Sequence, residues 1–130
     1  MHDRTLNLIN KGYTPVEIAE MIKLPPEIDK EWYFRGYYGT LNHNAKAIYQ
    51  RYMGWYDGNP ANLYALPPVE AAKRYVELAG GADKMIDNAQ KAFDKGDYRW
   101  TAEVLKHVVF ADPQNSKARN LAADALEQLG

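Results

Sequence analysis

The chain has 130 residues, no cysteine, and 16 basic against 17 acidic side chains for a formal net charge of −1. That length is enough to bury one core without disulfides or metal. The charge balance excludes a nucleic-acid or anionic-membrane partner recognised by bulk electrostatics, and the missing cysteines exclude thiolate metal sites and cysteine nucleophiles.

In chain order, Leu6 and Ile9, with Leu8 beside them, form a short helical stripe that ends at Lys11-Gly12. No cap precedes it, as expected of a segment taken from a longer polypeptide. Thr14-Pro15-Val16-Glu17 is a capping box, with proline at the first helical position. The helix it starts has Ile18, Met21 and Ile22 on its apolar face and stops before Pro25-Pro26. Ile28, Trp32 and Tyr33 continue as another short stripe to Gly36.

Arg35 to Pro60 holds five of the ten tyrosines. Gly36 and Gly39 bracket Tyr37-Tyr38, and either Thr40 or Asn42 offers an N-cap to a helix in which Ala45, Ile48, Tyr49, Tyr52 and Trp55 or Tyr56 recur at three- and four-residue spacing. The sequence Asp57-Gly58-Asn59-Pro60 is its expected stop, and Tyr49, Tyr52 and Trp55 are expected to pack. Lys46 and Arg51 are placed on a solvated or interface face.

After a proline-bounded connector, Pro68 starts a helix carrying Ala71, Ala72, Tyr75, Val76 and Leu78 inward, closed by Gly80-Gly81. Helices follow over 83–95, 98–111 and 116–129, the last capped by Asn115. Leu105, Val108, Val109 and Ala102 face inward on the second of these, and Ala118, Leu121, Ala122, Ala125 and Leu126 on the third. No stretch alternates as a strand does. The fold class is all-α: a multi-helix bundle or array in one domain over residues 1–130. Its C-terminal portion, residues 83–130, is tetratricopeptide-like. The Phe93-Asp94-Lys95-Gly96-Asp97-Tyr98 corner resembles that repeat, and Ala89 and Ala123 are separated by its period of about 34 residues. So short an array leans on other helices or a second subunit to bury its core.

The histidines, His2, His43 and His107, form no metal-binding pair, and no phosphate loop or HExxH motif is present. His107 reads as a packing or surface residue. His43 falls in the first turn of the 40s helix, where free amides and the dipole favour an anion and where an imidazole can serve as hydrogen-bond donor or general acid. The plainer reading is a histidine bonded within the turn. Tyr37, Tyr38 and Tyr56 border turns, so their hydroxyls can meet a polar ligand or their rings can pack. Arg35, just before the turn, is the better cation for an anion.

The runs WYFRGYYGTLNHNAKAIYQRYMGWYDGNPANLYALPP, from Trp32 to Pro68, and GGADKMIDNAQKAFDKGDYRWTAEVLKHVVFADPQN carry a resemblance. With the NKGYTPVEIAEMIKLPP lead-in, the chain resembles the helical dimerisation domain of the bacterial alkyl sulfatases, metallo-β-lactamase-related hydrolases of linear alkyl sulfate esters. The resemblance implies a homodimer, a preceding domain with two zinc ions and a following sterol-carrier-like domain. This segment then has no metal of its own and is not catalytic alone. In the parent, a zinc-activated water or hydroxide attacks the ester, and a histidine of the signature stands near the oxygen that leaves. His43 alone fits that description, with Arg35, Tyr37, Tyr38, Asn44 and Tyr56 as candidate sulfate or substrate contacts. The alternative reading is a tetratricopeptide-like interaction adaptor in which these residues matter only for stability.

Overall fold

A computed structural model describes all residues, 1–130, and contains helices and no strands. It divides into two compact units, Met1–Ala65 and Leu66–Gly130. No helix is long and apolar enough to cross a membrane.

In the first unit, α1 (His2–Asn10), α2 (Pro15–Met21) and α4 (Leu41–Met53) pack together, and the short α3 (Pro26–Asp29) leads to a 3-10 turn over Trp32–Phe34. The box at Thr14 is complete: its hydroxyl accepts the Glu17 amide, while a Glu17 carboxylate oxygen accepts both the Thr14 amide at 2.8 Å and its hydroxyl at 2.7 Å. Those two donors hold the Glu17 carboxyl below its ordinary range. The core is small. Ile18 and Ile22 of α2 meet Ala45 and Tyr49 of α4 and Leu8 of α1, with Ile9 and Leu41 at its edge.

Several expected inward positions turn out otherwise. The aromatic helix stops at Met53, four residues before the Asp57 stop, because Gly54 takes φ 76°, a conformation that ends a helix and that a side chain disfavours. Tyr49 is buried, but Tyr52 is half exposed and Trp55, beyond the helix, is 71 % exposed. Trp32 and Tyr33 are exposed too, since the backbone turns extended at Glu31 and breaks the stripe begun at Ile28. Met21 lies at the rim of the α2 face rather than inside it. Lys46 is half-buried and donates to Asn42 Oδ1 at 2.6 Å.

The second unit holds α5 (Pro68–Leu78), α6 (Ala82–Phe93), α7 (Tyr98–Ala111) and α8 (Ser116–Leu129). Each helix packs on the next and on the next but one, the order of a stacked helical-hairpin array. Asp97 caps α7 through the Trp100 amide and Asn115 caps α8 through the Ala118 amide. Met85, Ile86 and Ala89 of α6, Leu105 and Val108 of α7, and Ala118 and Leu121 of α8 form one core. The alanines let helices approach closely. Thr101 is wholly buried there, its hydroxyl within hydrogen-bond range of the Asp97 carbonyl at 2.8 Å and the Ala89 carbonyl at 3.3 Å, so it bridges α6 and α7. Phe93 and Tyr98 meet edge to face across the α6–α7 corner, with ring centroids 5.1 Å apart. Tyr75, Leu78 and Leu126, expected inward, are exposed. Leu78 and Leu126 lie at stations left open to solvent, while Tyr75 is covered on one side only, by His107 of α7.

Two measurements check this packing. Leu105→Ala should destabilise the chain by about 3 kcal/mol in urea unfolding, since it empties a fully buried site, whereas Leu126→Ala, at a position 58 % exposed, should change stability by less than about 0.5 kcal/mol. His107 of α7 stacks on Tyr75 of α5 with ring centroids 4.5 Å apart. Burial, reinforced by Lys106 and opposed by Glu103, holds its imidazole below the ordinary value. The unfolded chain therefore takes the proton more readily than the folded one. Stability should be full above the ordinary histidine value of about 6.5 and fall as pH drops from there toward the lower folded value; His107→Gln should flatten that part of the profile.

Candidate functional site

The turn from Arg35 to Thr40 and the first turn of α4 form the candidate site, all within the first unit. Gly36 is required by close approach: a Cβ there would lie 2.8 Å from the Gly39 carbonyl oxygen and 2.9 Å from Thr40 Cγ2. At Gly39 a Cβ would stand 3.0 Å from Asn44 Oδ1, so the bare backbone lets the Asn44 amide close over the turn. The Tyr37 hydroxyl donates to the Trp32 carbonyl at 3.0 Å and ties the turn back to the 3-10 segment.

Thr40 is the N-cap. Its Oγ1 accepts the His43 amide at 3.1 Å and lies 2.7 Å from His43 Nδ1, which places His43 at the third helical position. His43 is exposed, and its Nε2 makes no hydrogen bond within the chain. A second link fixes α4 against α2: Asn42 donates from Nδ2 to Glu20 Oε1 at 3.4 Å while its Oδ1 accepts from Lys46.

An open recess of about 590 Å³ lies beside this turn. Its apolar wall comes from Ala19, Ile22, Leu24, Phe34 and Leu41; Arg35, Asn42, Asn44 and Asp29 supply polar groups. Of the residues singled out in the sequence, the structure brings Arg35 and Asn44 into the recess wall. The Arg35 guanidinium has no ion pair or hydrogen bond within the chain. His43, Tyr37, Tyr38 and Tyr56 stand outside the recess. Tyr38 is fully exposed, and Tyr56 is half-buried with its ring edge to face with Trp55. Sequence reasoning passed over Thr40 as more than a cap, and passed over Asn42 and Glu20 as a link. The signal for the first was present, since Thr-x-x-His has the spacing of a capping box with histidine in the place of glutamate. Nothing in the sequence pairs Glu20 with Asn42.

No group of three or more histidine, aspartate or glutamate side chains comes together in a way that would hold a metal ion. Arg35 and Asn44 instead bring a guanidinium and an amide to the recess, groups suited to an oxyanion, while the His43 imidazole stands outside it.

Comparison with known proteins gives a consistent result. Residues 14–130 match a family model described as alkyl sulfatase dimerisation. The chain is 58 % identical over 130 residues to an alkyl/aryl-sulfatase of Saccharomyces cerevisiae, covering all of this chain and 20 % of that protein. It is 60 % identical over 131 residues to an (R)-specific secondary-alkylsulfatase of a Pseudomonas species, again covering all of this chain and 20 % of the relative. A solved structure of a stereoselective inverting sec-alkylsulfatase from Pseudomonas superposes with a TM-score of 0.92 at 59 % identity, over 98 % of this chain and 20 % of that one. The chain thus spans about a fifth of the length of these relatives.

Gly36→Ala should displace the turn. The expected result is altered amide resonances from Gly39 to Asn44 and a loss of about 1–3 kcal/mol of stability.

Proposed function

The chain belongs to the alkyl sulfatase dimerisation family, and from that premise we propose that it is the helical module joining two copies of an alkyl sulfatase, with the His43 turn set against a catalytic site built elsewhere in the polypeptide. The observation that carries this reading is the full-length match to alkylsulfatases five times as long as the chain, roughly, together with the family model over residues 14–130. Relatives in yeast as well as Pseudomonas place the family beyond bacteria.

The surface chemistry of the first unit supports the pairing. Trp32, Tyr33, Phe34, Tyr52, Met53 and Trp55 are all more than half exposed. Aromatic and methionine side chains left exposed on a surface are what protein interfaces use, because they remove much apolar area from water at low entropic cost. The adaptor reading would place function in the second unit alone, and no observation favours it.

The reaction of the parent is hydrolysis of a linear alkyl sulfate to the alcohol and hydrogen sulfate. The resemblance brings two zinc ions to that parent, but the residues of this chain do not fit a zinc site. The resemblance implies that the metal belongs to a metallo-β-lactamase-like domain ahead of the chain, with a sterol-carrier-like domain after it. What this chain's own residues can do is narrower. His43 Nε2 donates to the ester oxygen that leaves, and Arg35 and Asn44 offer a guanidinium and an amide to sulfate oxygens. Tyr38 and Tyr56 have hydroxyls without a partner in the chain, so they suit substrate contact better than Tyr37, whose hydroxyl is engaged by Trp32.

Sedimentation of the chain at micromolar concentration should give a dimer, and Trp55→Glu should weaken it; a monomer throughout would sink the pairing. In the whole enzyme, His43→Ala should lower turnover of an alkyl sulfate by about 10²–10⁴-fold with the dimer intact, and unchanged turnover would remove His43 from the reaction.

A further inference from the structure

Thr40 uses one oxygen for two tasks. Its Oγ1 accepts the backbone N–H of His43 at 3.1 Å and lies 2.7 Å from Nδ1 of the same residue. A threonine hydroxyl has one proton to give and two lone pairs to receive with. With one lone pair taken by the amide, directing the proton at Nδ1 leaves the hydroxyl satisfied within the chain. The converse, Nδ1–H donating to Oγ1, would put a second donor on that oxygen and leave its own proton without an acceptor there. The box at Thr14 shares part of this geometry. There the third helical residue is Glu17, whose carboxylate accepts both the amide and the hydroxyl of the cap while the hydroxyl oxygen accepts the Glu17 amide. In the box at Thr40 the third residue is a histidine, which returns to the hydroxyl of the cap alone.

We propose that Thr40 is a positioning residue for His43: its hydroxyl donates to Nδ1, holds the ring on the first turn of α4, and places the imidazole proton on Nε2, the nitrogen with no partner in the chain. The consequence is a preset N–H donor. An imidazole free to exchange tautomers would present Nε2 partly as an acceptor, which repels an ester or sulfate oxygen; one fixed by Thr40 meets that oxygen with a proton already in place. The catalytic meaning of this arrangement rests on the reading of His43 given above, but the tautomer itself does not. The device also needs α4 to start at Leu41 and nowhere else, because a cap shifted to Asn42 would carry His43 to the first helical position, out of reach of Thr40.

The experiment labels the full chain with ¹⁵N-histidine and reads the Nδ1 and Nε2 shifts of His43 at a pH where the ring is neutral, with His2→Gln and His107→Gln to assign the signals. Wild type and Thr40→Ser should show the Nε2–H form. Thr40→Asp keeps a strong helix cap but offers only acceptors, so the ring should turn over to the Nδ1–H form with the helix intact by circular dichroism. A role limited to capping would leave the tautomer alike in Thr40→Ser and Thr40→Asp. That result, or an Nδ1–H ring in the wild type, overturns the proposal. In the whole enzyme, turnover of an alkyl sulfate should stay near wild type in Thr40→Ser and fall about tenfold or more in Thr40→Asp. Undiminished turnover in Thr40→Asp counts against the positioning role. The two readings fail separately: full activity in His43→Ala removes the catalytic meaning while the tautomer stands, and an inactive His43→Ala with an unmoved tautomer removes Thr40 while His43 stands.

Discussion

The packing of α2 across the first half of α4 is the contact on which the first unit depends. Ile18 and Ala45 are both fully buried where the two helices cross, and Ile22 and Tyr49 extend the contact along each of them. Alanine at position 45 matters as much as the larger residues, since a bulkier side chain there would push the helices apart. Ile22 also forms part of the recess wall, beside Ala19 and Leu24. Core and candidate site are therefore one construction: whatever shifts α2 moves the apolar side of the recess relative to Arg35 and Asn44. The Glu20–Asn42–Lys46 link fixes the remaining sliding freedom along the same crossing.

Much of this was legible in the sequence because it is local. The caps at Thr14, Thr40 and Asn115 depend on side chains reaching amides two or three residues away, and Pro68 starts its helix for reasons internal to one residue. The inward faces of α6 and α7 followed from period alone. Period gives the direction of a face, however, and says nothing about what covers it. Tyr49 and Tyr52 share a stripe, yet only Tyr49 lies opposite α2; Tyr52 stands past the end of that helix, with only His2 of α1 within hydrogen-bond reach of its hydroxyl, at 2.9 Å. Leu78 and Leu126 were misplaced for the same reason.

The candidate site was legible as a region and not as a geometry. His43 and Asn44 are adjacent in sequence, but successive helical residues project about 100° apart, and only Asn44 lies in the recess wall. His43 was found through its place at a helix start, while its bond to Thr40 depends on a rotamer that spacing permits without dictating. The expectation of a repeat in the second unit rested on one corner motif and one pair of small residues, Ala89 and Ala123. Of that pair only Ala89 is buried; Ala123 is exposed, and the alanine of α8 that packs in the core is Ala118, while Thr101 fastens α6 to α7.

The aromatic surface has a spectroscopic corollary. All three tryptophans, Trp32, Trp55 and Trp100, are more than half exposed in the single chain, so in a folded monomer their indoles face water. Unfolding of the monomer would change that emission little. A molecule that covered them would change it a great deal, and the intrinsic fluorescence of this chain is therefore a gauge of what is seated on its surface rather than of whether its helices are formed.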